Sequence, residues 1–367
     1  MLSLASGGIG LAVAGINKMA QGMAAFGASV VEEGAAYTKE MSNVAALTNA
    51  TGAEFDELSA KAEHLGSVTK FTSTEAAEGM SFLAMAGFEV NEIVGAMPGV
   101  LNLASAANMD LGRAADVTSN ILTGMNLEVE DTDHLVNVLA KTASSANTNV
   151  EQLGQAMKFV APVAGALGMS VEDTSAALAA MGDSALQSGV AGRNLRGIIS
   201  KLSGPTGAAK DAMESLGVEI FNTDGTMKRL PQIVGDFNNA LTGMTDKQRQ
   251  AALGTIFSRE ELAPFLILMN KGQDELEDFS DELANSSDDF DGMGTAAGIA
   301  AKQLDNLSGD TTLFQSALSG VKIGIFKALE PLLRSVVQAG TGLITKFGKP
   351  LTDIINNSVI PSIQYRS

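Results

Sequence analysis

Phe88-Glu89-Val90-Asn91-Glu92, Leu127-Glu128-Val129-Glu130-Asp131 and Met169-Ser170-Val171-Glu172-Asp173 are three versions of one phrase. Each opens with an apolar residue, places Val third and surrounds it with acids, and successive copies lie 39 and 42 residues apart. A second phrase repeats in register. Ala107-Asn108-Met109-Asp110-Leu111 and Ala146-Asn147-Thr148-Asn149-Val150 are 39 apart, and Ser188-Gly189 follows 39 after Asn149. Periods of this length belong to stacked helix pairs. Acids in a first turn suit the positive end of the helix dipole, so each phrase reads as a helix start and not as an acid–base pair. The stretch therefore predicts three stacked helical hairpins.

Other helix punctuation agrees. Thr51 with Glu54, Thr72 with Glu75, Thr245 with Gln248 and Ser258 with Glu261 fit the capping box, in which a hydroxyl and a carboxylate or amide satisfy the orphan N–H groups of a helix start. Between them apolar residues recur at spacings of three and four, as in Val150, Leu153, Met157 and Val160, which marks one buried face per helix. Pro98 and Pro162 fall inside such patterns and mark a first turn or a kink. One β signal interrupts the helices: Val218-Glu219-Ile220-Phe221, a turn at Asn222-Thr223-Asp224-Gly225, and Thr226 to Leu230 predict a small β-hairpin over 218–230.

The fold expected is all-α: stacked helical hairpins and the one small β-hairpin, flanked by long amphipathic or apolar terminal helices. Three regions follow. Residues 1–48 form an apolar, Gly/Ala-rich N-terminal helix, residues 49–285 a helical core, and residues 286–367 a linker and amphipathic C-terminal helices. Residues 285–292, with Asp288, Asp289 and Asp291, read as a solvated linker.

Composition limits the chemistry. Of 367 residues 45% are hydrophobic but only 5% aromatic, so the core is built of Ala, Leu, Val, Ile and Met. The net charge of −18 resides in residues 1–285, which hold 35 acidic and 17 basic side chains, while 286–367 hold seven of each. Counterion-release binding to nucleic acid needs clustered Lys and Arg, so no sequence-specific nucleic-acid partner is expected. With no Cys and only His64 and His134, both read as solvated surface histidines, no metal site is expected. Gly10 to Gly15 is followed by Lys18 in the wrong place for a phosphate loop, and neither G-x-S-x-G nor H-E-x-x-H occurs. The acids at 288, 289 and 291 lack the spacing and terminal Glu of a calcium loop. Catalytic, cofactor-binding and metal residues are accordingly read as none, cofactors as none, and the chain as no enzyme.

Residues 1–17 carry no charge, so the basic start of a signal peptide is missing. Met1 to Val31, with Lys18 as its single charge, has the length of a membrane span, but its Gly and Ala content favours a helix buried among helices.

Residues 45–283 resemble the core domain of phage tail tape measure proteins. The resemblance is carried by Thr69-Lys70-Phe71-Thr72-Ser73-Thr74-Glu75-Ala76-Ala77-Glu78-Gly79-Met80, by Met85-Ala86-Gly87-Phe88, and by Ala191-Gly192-Arg193-Asn194-Leu195-Arg196. Leu216-Gly217-Val218, Asp224-Gly225, Leu230-Pro231 and Ala252-Leu253-Gly254-Thr255-Ile256-Phe257 follow in the family's order. It implies a structural protein of the virion, made in the bacterial host cytoplasm, occupying the tail lumen, setting tail length and expelled at genome ejection. Its implied partners are further copies of itself, tail tube and baseplate or tail-tip proteins, tail assembly chaperones and the host membrane. Ser258 stands where the family often has Gly. The positions after 285 would span only about 120 Å as helix, which implies a short tail or a fragment of, or shortened relative to, the usual chain. The alternative reading is a membrane-active helical protein, a pore former or secreted effector, whose apolar ends insert while the acidic middle stays in water.

Overall fold

The computed structural model describes the backbone of residues 3–354 and the side chains of residues 25–342. Two compact units divide the chain: residues 40–317, and the described parts of residues 1–39 and 318–367.

The larger unit is built from helix pairs. α1 (Ser3–Thr48) enters it at its C-terminal end, and α2 (Ala53–Val68) and α3 (Ser73–Met85) form the first pair. The repeated phrases open the next three: α4 (Val90–Ala106) with α5 (Leu111–Met125), α6 (Thr132–Ser145) with α7 (Val150–Ala166), and α8 (Val171–Asp183) with α9 (Ser188–Ser203). Even-numbered helices pack on even ones, α2 on α4 on α6 on α8, and odd on odd, α3 on α5 on α7 on α9. The result is a two-layered stack.

The phrase works as a turn. Gly87, Asn126 and Gly168 take positive φ, and the next residue's N–H reaches back to close the preceding helix: Phe88 to the Leu83 carbonyl, Leu127 to Leu122 and Met169 to Ala164. This is the left-handed C-cap whose closing bond reaches five residues back, with an apolar residue tucked after it. The acids then start the next element. Glu92 accepts from the Glu89 N–H at 2.7 Å, Asp131 from the Glu128 N–H at 3.0 Å, and Ser170 Oγ from the Asp173 N–H at 3.1 Å. Thr72 with Glu75 and Thr245 with Gln248 form full capping boxes. At Thr51 the cap moves one residue on, to Gly52, and only the Thr51 N–H contact to Glu54 remains. Pro98 and Pro162 lie inside α4 and α7.

After α9 come α10 (Ala208–Leu216), α11 (Leu230–Ala240), α12 (Asp246–Ile256), α13 (Arg259–Lys271), α14 (Gln273–Ala284), the single turn α15 (Asp289–Gly292) and α16 (Thr295–Leu304). α13 packs on α8 and α9, α14 on α8 and α6, and α16 on α6 and α4. The chain thus doubles back over the even-numbered layer, and residues 286–317 belong to the larger unit.

The β-hairpin expected at 218–230 does not form. Among the described residues there is no strand, only one antiparallel bridge between Phe221 and Met227. The turn chemistry is present: Gly225 has φ of 88°, Asp224 accepts from the Thr226 N–H at 2.9 Å, and the Asn222 N–H donates to the Thr226 carbonyl at 2.8 Å. The legs are too short to pair further. Val218 and Ile220 are buried in the core and Leu230 already begins α11, which leaves no length for a ladder.

Small residues set how closely the odd-numbered helices approach. A Cβ on Gly192 of α9 would lie 2.1 Å from the Ala156 carbonyl oxygen of α7, and one on Gly165 of α7 would lie 2.7 Å from the Met125 Cα of α5. These are backbone atoms and cannot swing aside. In the smaller unit the same device recurs, since a Cβ on Gly34 of α1 would lie 1.9 Å from the Phe326 ring of α17 (Leu307–Ile354).

Gly192→Ala should therefore destabilise by roughly 1–3 kcal/mol through overpacking. Gly95→Ala in α4, where nothing lies within 4 Å, should stabilise by about 0.5–1 kcal/mol. Urea unfolding of the two variants checks the pair, and equal effects would contradict this packing.

Candidate functional site

The larger unit holds its polar chemistry where the returning segment meets the stacked repeats. Asp173, third residue of α8, is only 3% exposed. Arg229, just before α11, meets it with two nitrogens, Nη2 to Oδ1 at 2.8 Å and Nε to Oδ2 at 3.1 Å, while Ser280 of α14 donates to Oδ1 at 2.6 Å. The same guanidinium reaches Glu277 and Asp281 of α14. Bonding to Asp173 pushes the Arg229 pKa further up. Burying a carboxylate is tolerable only with such a partner.

His134 of α6 forms a second tie. Its Nε2 lies 2.5 Å from Glu172 of α8 and its Nδ1 3.4 Å from Ser287 on the returning chain. It is therefore an inter-helix bridge and not the solvated histidine its sequence neighbourhood suggests, whereas His64 is exposed on α2. The bond to Glu172 raises the His134 pKa against the opposing effect of burial. Burial pushes the Glu172 carboxyl up, but bonds from His134, its own N–H and Ser170 outweigh that and leave it lowered.

A third tie is Lys141 of α6, which pairs with Glu282 at 2.9 Å and Asp289 at 3.2 Å. Of the three linker acids, Asp289 is thus engaged, and it also accepts from Thr295. Beside it Asn137 Oδ1 accepts from the buried Ala296 N–H at 2.9 Å, starting α16. Polar side chains of α6 therefore anchor the whole return from 282 to 296.

The groove of about 640 Å³ bounded by Asp110, Arg113, Glu151 and Gln303 has its one lining cation already engaged. Arg113 is forked onto Glu151 at 2.7 and 2.8 Å and also pairs with Asp116. Among the described residues no three His, Asp or Glu converge to hold a metal ion, and no helix is long and apolar enough to cross a membrane. The apolar segment expected over residues 1–31 falls at 1–24 on side chains outside the described residues.

In the smaller unit the notable feature is the surface of α17. It pairs Lys322 with Glu33 of α1 at 3.0 Å and sets Lys327 over the Tyr37 ring, with Ile323 and Phe326 buried, yet large apolar side chains remain exposed along another of its faces. Among the described residues the charged side chains discussed above serve as inter-helix ties.

Residues 59–258 match the family of phage-related minor tail proteins, more than half of the chain. The chain belongs to this family. It is 34% identical over 322 residues to the tape measure protein of Pneumococcus phage Dp-1, covering 88% of this chain and 28% of that protein. It is 27% identical over 350 residues to the probable tape measure protein of Escherichia phage P2, covering 94% of this chain and 41% of that one. A third relative, the probable tape measure protein of Clostridium phage phiCD119, is 22% identical over 328 residues, 88% of this chain and 34% of the relative. The chain thus spans between about a quarter and two fifths of the relatives it matches. No solved structure matches it. The family is one of phage tail components, so the chain is a virion protein of the tail. The membrane-active alternative finds no support in these relatives, each of which is named a tape measure protein or a probable one.

The His134–Glu172 tie has a pH signature. A raised histidine pKa gives stability that is full below the unfolded value of about 6.5 and is lost as pH rises through the folded value. The lowered Glu172 gives stability present above its unfolded value and lost as pH falls through the folded one. His134→Gln should therefore cost most between about pH 5 and 6.5, on the order of 1 kcal/mol because the pair is partly solvated, and progressively less as pH rises through the folded histidine value. Thermal unfolding of both proteins across pH 4–9 checks this; a pH-independent difference would contradict it.

Proposed function

We propose that this chain is the globular head and adjoining helices of a tail tape measure protein, a non-enzymatic ruler lying in the tail lumen. The observation that carries the reading is the pair of single long helices attached to the stack: α1 has 46 residues and α17 has 48. At about 1.5 Å per residue each reaches roughly 70 Å, against a usual helix of about 11–12 residues. Length is what such a protein contributes, because a tube polymerising around a helix stops where the helix stops. The relatives' names as tape measure proteins support the same reading.

In this reading the partners are copies of the same chain, the tail tube, baseplate or tail-tip proteins that receive the ends, and assembly chaperones that cover apolar helices before the tube closes. The low charge and wide packing surfaces of the helices suit enclosure by protein. The acidic stack, with ion pairs fastening its returning segment, is built to remain folded. Synthesis in the bacterial host cytoplasm precedes incorporation.

The ruler idea has a direct test. An in-frame insertion of about 20 helix-forming residues in the extension should lengthen tails by about 30 Å, and an equal deletion should shorten them, as measured by electron microscopy of particles carrying the altered gene. Tails of unchanged length that contain the altered protein would contradict the proposal.

A further inference from the structure

We draw no further inference here: the strongest candidate, the left-handed turn at Phe290, Asp291 and Gly292 that leads into α16, is held by the same Lys141, Thr295 and Asn137 contacts that fasten the returning segment, so it belongs to the ties already described, and nothing in the structure shows a second conformation for it.

Discussion

A helical hairpin in this chain is apolar on more sides than its own two helices can cover. Within α8, for example, Ala176, Ala177, Leu178, Ala179, Ala180 and Met181 are all buried, a continuous run that needs neighbours on every side. α8 obtains them from α6 in its own layer, α9 beside it and α14 above. Stability is therefore a nearest-neighbour property, as in other repeat stacks. Small side chains make this possible: with so few aromatics, burial comes from many close helix contacts, and Gly154, Gly165 and Gly192 allow the backbones of α5, α7 and α9 to approach where a methyl group would not fit. Three rings do cluster: Phe237 of α11, Phe257 after α12 and Phe265 of α13 meet with centroids 4.2 to 6.2 Å apart.

An acidic chain has to manage repulsion as it folds back on itself. Three cations sit where the returning chain meets the stack or supports it: Arg229 on Asp173 and the acids of α14, Lys141 on Glu282 and Asp289, and Lys271 on Glu275. The first is the most constrained, because Asp173 is dry and bound by two donors on separate elements. Removing Arg229 would leave Asp173 as a buried charge without its cation.

Local chemistry was readable in advance and long-range chemistry was not. The repeated phrases, the capping residues and the three-and-four spacing are encoded within a few positions of one another, so the helix pairs and their starts follow from the sequence. The hairpin at 218–230 illustrates the limit of the same logic: Asp224 and Gly225 make the turn they suggest, yet pairing needs flanking length, which the burial of Val218 and the start of α11 remove. Asp173 was correctly seen as a first-turn acid, but its second role depends on Arg229, 56 residues away. His134 looked solvated because its neighbours in sequence are acidic, whereas its partners are 38 and 153 positions distant. The resemblance to tail proteins rested on dispersed short runs, and the family match confirms it over the core.

The central claim is that the returning helices α14 and α16 share one cooperative unit with the stacked repeats, joined through α6 and α8. Hydrogen–deuterium exchange of the intact chain measures this most directly. The account predicts that amides of α6, α8, α14 and α16 open together with a common free energy close to that of global unfolding of the stack. Exchange of α14 and α16 by an independent, much easier opening, with α6 and α8 still protected, would contradict it.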